Sequence, residues 1–170
     1  LLALALAVFL GYFFLLSFVW GAGFEPTPRR SVEKMLELLS PRPGETLYDL
    51  GSGIGTIVLL AAERYEIRCV GIELDPLRYL ISLYRRWRRR GRLKGSVEFI
   101  RRNFYHVKLS EADMVTLFLT RSTHAKLEPK LQAELRPGAR VATYYHPMPG
   151  WKERAYSPEH DVYLYVIGGE

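Results

Sequence analysis

Residues 47–55 read LYDLGSGIG and run directly into TIVLLAA at residues 56–62. A short apolar run carrying an acid, Asp49, is followed by glycines at alternate positions, Gly51, Gly53 and Gly55, and then by an unbroken apolar segment. The pattern predicts strand, tight turn and helix. Glycine admits positive φ and lets a ligand approach bare main chain, and the first turn of the following helix offers amides without intrahelical partners. Such a turn suits a cofactor that carries a nucleoside.

Dinucleotides also bind a glycine-rich turn after the first strand of an α/β sheet. Their fingerprint, G-x-G-x-x-G, would require glycine at position 56, where the chain has Thr56, so a pyrophosphate cradle is disfavoured. A second feature supports a different cofactor. About eighteen residues past Gly55, the apolar run 67–72 ends in Glu73, an acid placed to accept two hydrogen bonds from ribose hydroxyls.

The pattern D-x-G-x-G-x-G resembles motif I of the class I, seven-strand S-adenosylmethionine-dependent methyltransferases. The Pro-Thr-Pro element at residues 26–28, the helix bearing Met35 and Leu36, and Pro43-Gly44 before the first strand narrow the resemblance. They look like the family of small lysine methyltransferases that includes archaeal protein-lysine methyltransferases and the ATP synthase c-subunit lysine methyltransferase. The resemblance covers about residues 26–167. It implies an α/β, Rossmann-like seven-stranded sheet in the order 3-2-1-4-5-7-6 with strand 7 antiparallel. It also implies S-adenosyl-L-methionine as cofactor, with S-adenosyl-L-homocysteine as product.

By that resemblance Asp49, Gly51, Ser52 and Gly53 line the methionine end of the cofactor, and Glu73 and Leu74 meet its ribose. Asn103 and Phe104 take the adenine, Leu119 faces the methyl donor, and Thr27, in the segment that folds over the cofactor, contacts its carboxylate. Thr27 reads equally well as a turn threonine between two prolines, and Asn103 as a loop asparagine. Two departures stand out: Ile54 occupies a position where relatives usually carry an acid, and Phe118 one where they often have tyrosine.

With 170 residues, 48% of them hydrophobic and 25% charged, one domain and one core are expected. The formal charge of +6 makes a polyanion partner reasonable without choosing between nucleic acid and lipid. The lone Cys69 gives no disulfide, and the four histidines show no metal-ligand spacing, so no metal is expected.

Residues 1–20 carry no charged side chain and match the ~20 residues needed to span a bilayer as a helix. The run is longer than a secretory signal core, is rich in aromatics and ends in Trp20, so a transmembrane anchor is expected over 1–20, a linker over 21–30 and the methyltransferase domain over 31–170. Arg29 and Arg30 beyond the span place the domain on the cytoplasmic side of a single-pass membrane protein.

Ser31 is expected to cap a helix whose apolar stripe is Val32, Met35, Leu36 and Leu39. Asp75 and Pro76 open another, with Leu77, Leu80, Ile81, Tyr84 and Trp87 expected to pack on the sheet. Its far end carries Arg85, Arg86, Arg88, Arg89, Arg90, Arg92 and Lys94. These read either as a solvated basic face or, over residues 85–94, as a contact with anionic lipid. Nucleic acid is disfavoured, since aromatic interleaving stops at Trp87 and no recognition module accompanies the tract.

Further strands are expected at 97–100, 112–120 and 140–145, a helix at 122–135, and a hairpin over 151–170. Asp113 falls at the start of its strand, away from the strand tips where ligands bind, and is set aside as a catalytic group. Thr120, Tyr144 and His146 are the candidates for a catalytic role, and Tyr144, Tyr145 and His146 for the wall of an acceptor channel, with strand-end packing as the ordinary reading. The sequence lacks the Asn-Pro-Pro-Tyr/Phe signature, which argues against nucleobase and glutamine acceptors. The expected activity is therefore membrane-anchored methyl transfer to a lysine of a protein substrate. Methylation of a small molecule or lipid, and a non-catalytic tethered module with a degenerate pocket, stand as alternatives.

Overall fold

The computed structural model describes residues 27–169 together with Gly11, so the expected anchor and most of the linker lie outside the described residues. In chain order the elements are α1 (Arg29–Leu39), β1 (Thr46–Leu50), α2 (Thr56–Arg64), β2 (Arg68–Glu73), α3 (Pro76–Arg89), β3 (Ser96–Arg101), β4 (Met114–Leu117), α4 (Arg121–Glu134), β5 (Arg140–Tyr144), β6 (Ala155–Ser157) and β7 (Val162–Val166). Single 3₁₀ turns occupy Arg90–Arg92 and Phe104–His106. The sheet order is β3-β2-β1-β4-β5-β7-β6. Strands β3, β2, β1, β4 and β5 pair in parallel, and β7 runs antiparallel to both of its neighbours. This is the seven-stranded methyltransferase sheet that the family resemblance implies. Among the described residues no helix is long and apolar enough to cross a membrane.

The sheet is covered on both faces, which is why its central strands are apolar along their whole length. One face buries α1 and α2, with Val32, Met35, Leu36 and Leu39 packed near Val58, Leu59 and Ala62. The other buries α4 through Leu127 and Leu131, together with Leu109, Met148 and Tyr165.

Helix α1 begins two residues before its expected cap. Pro28 closes its first turn by accepting the amides of Ser31 and Val32 at 2.9 and 3.0 Å, and Ser31 is a buried residue inside the helix rather than its cap. At the other end the Arg140 guanidinium donates to the carbonyls of Leu39 and Ser40 at 2.6 and 3.0 Å, satisfying groups that the helix itself leaves unpaired. Arg140 opens β5, so α1 ends at the amino edge of the strands. Thr27, which precedes α1, therefore lies toward the carboxyl edge, where ligands bind in such sheets.

Helix α3 departs from expectation. Asp75 does cap it, accepting the Arg78 amide at 2.8 Å, with Pro76 in the first turn. The face turned to the sheet, however, is Tyr79, Ser82 and Leu83. Leu80, Tyr84 and Trp87 are 59%, 58% and 57% exposed, so the stripe expected to pack on the sheet faces outward. Close approach is the reason. Ser82 is wholly buried, and its Cβ sits 3.4 Å from where a Cβ at Gly55 would stand, which leaves little room for side-chain atoms beyond those of serine.

The basic tract is divided in the same way. Arg85 donates to the Ile54 carbonyl at 2.6 Å, Arg86 to the Val97 carbonyl at 3.0 Å, and Arg89 pairs with Glu63 at 3.3 Å. Those three are ties within the domain, while Arg88, Arg90, Arg92 and Lys94 are exposed.

Candidate active site

The site forms where β1 hands the chain to α2. Gly51, Gly53 and Gly55 all have positive φ, at 82°, 55° and 75°, which explains the alternate glycines as a backbone requirement. They serve different ends. A Cβ on Gly51 would stand 3.0 Å from Leu119 Cδ2, whereas one on Gly55 would stand 2.4 Å from Phe99 Cζ. Gly71 meets the same ring, at 2.6 Å. Gly55 and Gly71 thus make room for Phe99, while Gly51 is itself exposed beside Leu119 at the strand tips.

The turn is tied to β2 at three points. The amides of Gly51 and Ser52 both donate to the Ile72 carbonyl at 2.9 Å, and the Gly53 amide donates to Glu73 Oε2 at 2.8 Å. Glu73 Oε1 also accepts the amides of Leu74 and Asp75 at 2.9 and 2.8 Å. An ionised carboxylate has about four acceptor positions. Three are filled here by backbone amides, which leaves one open on Oε2.

Asp49 lies one strand across. It is buried and accepts the Thr116 hydroxyl at 2.8 Å. Burial, assisted by the nearby Glu73 charge and opposed by the Thr116 hydrogen bond, raises its pKa to about 7. A carboxyl so placed gains from any cation brought beside it. Ser52 Oγ is buried with no partner among the described residues. Helix α2 starts at Gly55 with neither a side-chain cap nor an acid in its first turn.

The side chains expected at the adenine and at the methyl donor are partly engaged within the chain. Asn103 Oδ1 accepts the Tyr105 amide at 3.0 Å, so its carbonyl holds the Phe104–His106 turn and retains one lone pair. Phe104 is half-buried with its ring 4.7 Å from that of Tyr105. Leu119 is buried against the glycine turn. Thr27 is half-buried, and Leu74 is half-buried beside Glu73.

Thr120 is better described as the cap of α4 than as a catalytic group. Its Oγ1 accepts the Thr123 amide at 3.3 Å and bonds the hydroxyls of Ser122 and Thr123 at 3.0 and 2.9 Å. Tyr144 and His146 belong to an aromatic wall beyond β4 and β5. Phe118 meets Tyr144 edge-on at 4.7 Å, and Tyr145 meets His146 at 4.8 Å. Tyr145 has φ 65°, and the His146 amide donates to the Tyr144 carbonyl at 2.8 Å across it, a one-residue turn that is strained for a side chain of this size. Burial, with the Arg121 charge, pushes the His146 pKa below its ordinary value, and its Nδ1 is buried without a partner among the described residues. Asp113 accepts the Thr46 amide at 2.8 Å and pairs with Arg136 at 2.9 Å, at the far edge of the sheet.

Two participants, Thr116 and His124, were not singled out in the sequence, nor was the backbone conformation of Tyr145. Thr116 sits mid-strand and meets Asp49 only because β1 and β4 pair in that register. His124 is wholly buried, with Nδ1 3.3 Å from the Pro147 carbonyl and its ring 6.4 Å from that of His146. Tyr145 carries positive φ without the Gly or Asn that would announce it. For His124 a position four residues after a helix-capping threonine is the only sequence signal.

Strand order, bare glycine backbone, a buried acid on β1 and a carboxylate with one acceptor position left on β2 define an S-adenosylmethionine-dependent methyltransferase. The ANTKMT methyltransferase domain model matches residues 49–155, and the chain belongs to that family. A protein-lysine N-methyltransferase of Saccharolobus islandicus is 34% identical over 160 residues, covering 90% of this chain and 98% of that protein. Adenine nucleotide translocase lysine N-methyltransferase of Mus musculus is 42% identical over 72% of this chain, which spans 52% of the mouse protein. Among solved structures, an RNA methyltransferase from Salinibacter ruber in complex with S-adenosyl-L-homocysteine superimposes with a TM-score of 0.79 at 37% identity, over 86% of this chain and 95% of that one.

Proposed function

We propose that this enzyme methylates lysine side chains of proteins, working at a membrane with its domain on the cytoplasmic side. The observation that carries the acceptor class is the wall of Phe118, Tyr144, Tyr145 and His146 beside the strand tips. It is joined by the names of the Saccharolobus and mouse relatives.

The bound cofactor supplies a methyl group on a sulfonium, open to in-line attack by a nitrogen lone pair. Everything else falls to the chain. Glu73 and the glycine turn would hold the nucleoside, and Asp49 would balance the positively charged end. A lysine ammonium has no lone pair and a free pKa of about 10.4, and an apolar, water-poor channel lowers it. Aromatic faces also attract the cation that the acceptor becomes after methylation. His146, kept neutral by burial, is a base beside that wall, able to take the proton which the acceptor nitrogen sheds. Alignment and exclusion of water are the main contributions to rate.

The membrane part of the reading rests on the charge-free run at residues 1–20 followed by Arg29 and Arg30. Resistance to carbonate extraction and protease protection of tagged cells would test it.

The Salinibacter structure's description as an RNA methyltransferase gives a second reading. Incubating the full chain with radiolabelled S-adenosylmethionine and separated protein, RNA and lipid fractions decides between them. Label recovered as methyl-lysine after protein hydrolysis is the expected outcome. Label confined to RNA or to lipid would overturn the lysine assignment, and failure to bind cofactor at all would leave only a tethered module.

A further inference from the structure

The outer face of α3 is the largest feature that the methyltransferase site leaves unused. Leu80, Tyr84 and Trp87 lie on one stripe, four and three residues apart, more than half exposed, with Leu77 and Ile81 half-buried alongside. Tyr84 and Trp87 meet at 6.0 Å, and the Arg90 guanidinium lies 5.3 Å from the Trp87 ring centre. The helix PLRYLISLYRRWRR contains no acid, and the exposed cations Arg88, Arg90, Arg92 and Lys94 cluster at its C-terminal end and in the segment that follows.

Burial inside the domain does not account for this stripe, because close packing on the sheet is done by Ser82, Tyr79 and Leu83. Nor are all the arginines held inward: Arg85, Arg86 and Arg89 are tied to the domain, which leaves the other cations beside the apolar stripe. Aliphatic residues, an interfacial tyrosine and tryptophan, and a fringe of cations without acids match the requirements of a bilayer surface with anionic headgroups. An RNA partner would find no use for Leu77, Leu80 and Ile81. Helices α1 and α3 cover the same face of the sheet, so a tether entering through Thr27 would join the domain in the layer that contains α3.

The geometry points to α3 as an in-plane membrane-docking helix, laying Leu80, Tyr84 and Trp87 into the headgroup boundary of an anionic bilayer with Arg88, Arg90, Arg92 and Lys94 on the lipid phosphates. The docking is independent of the methyl acceptor and holds whether or not the lysine assignment does.

Tryptophan emission of the full chain tests it, with Trp87→Phe run in parallel so that the difference reports Trp87 alone. Vesicles of phosphatidylcholine mixed with phosphatidylglycerol should shift that difference signal to the blue and expose it to quenching by brominated lipid. Vesicles of phosphatidylcholine alone should do much less, and added salt should weaken the effect. Combined Arg88→Glu, Arg90→Glu and Arg92→Glu should lower affinity for the anionic vesicles roughly a hundredfold, with the melting temperature little changed.

Equal quenching on both vesicle types, or none on either, overturns the proposal. So does a Trp87 signal already blue-shifted without lipid. In that case sedimentation tells whether a second copy covers the face, as a dimer, or the chain's own first twenty residues do, as a monomer.

Discussion

The Gly53 amide donates to Glu73 Oε2 at 2.8 Å, so the carboxylate proposed to hold the ribose also fastens the glycine turn to the end of β2. Binding and architecture therefore share one side chain. Replacing Glu73 by alanine leaves the amides of Gly53, Leu74 and Asp75 without their acceptor, at a cost of about 2–4 kcal/mol. Glu73→Gln keeps the shape but turns a donor toward those amides. Thermal unfolding and calorimetric titration with S-adenosylhomocysteine should both fall in either variant, with exposed Glu98→Gln as the control. A Glu73→Ala protein that melts and binds like wild type would break the assignment.

Asp49 predicts an unusual pH dependence. Its pKa in the folded protein, about 7, stands above the ordinary value of 3.8 because the carboxyl is buried. Between those limits the folded protein holds a proton that the unfolded chain has released, so this group's contribution to stability is present at low pH and lost as pH rises through about 7. Asp49→Asn should therefore raise the melting temperature of the ligand-free protein at pH 8 and weaken binding of the cationic cofactor. Wild-type affinity for S-adenosylmethionine should climb from pH 6 to pH 8, and the asparagine variant should lose that slope.

The glycines should separate by function. Gly55→Ala forces both a positive φ and a clash with Phe99, and should cost about 2–4 kcal/mol in denaturant titrations. Gly51→Ala carries the same positive-φ strain but meets only the tip of Leu119, so its stability loss should be smaller and its larger effect should appear in cofactor affinity. Equal stability losses in the two variants would count against this division.

Thr120→Ala removes the α4 cap and should cost about 1 kcal/mol of stability. Its effect on kcat, measured well below the melting temperature, should be small. A loss of a hundredfold or more would return Thr120 to the chemistry.

Within the acceptor wall, Tyr144→Ala should lower kcat/KM by tenfold or more with cofactor affinity retained. His146→Gln should flatten the acid limb of the pH–rate profile. Unchanged profiles in both variants would place the acceptor elsewhere.

Much of this protein was legible before any coordinate. Alternating glycines demand positive φ wherever they fall, an acid at the end of the next apolar strand sits at the same edge of a parallel sheet, and capping by Asp75 and Pro76 is local chemistry. The first two of those features carried the family resemblance, and the resemblance implied the sheet order and the cofactor. The orientation of α3 was not legible, because apolar spacing marks a stripe without saying which side of the helix must come close. Ser82 won the inner position through its small size against Gly55 and Phe99, and the larger stripe turned outward.

The sequence by itself determined that a strand, a bare turn and a helix would cradle a nucleoside, since each of those choices depends on residues within a few positions of one another. Only the tertiary structure decided that Thr116 would hold Asp49 and that Glu73 would accept the Gly53 amide of the glycine turn. Those outcomes depend on pairing and register between segments far apart in the chain, where one residue of slip would carry each side chain to the opposite face.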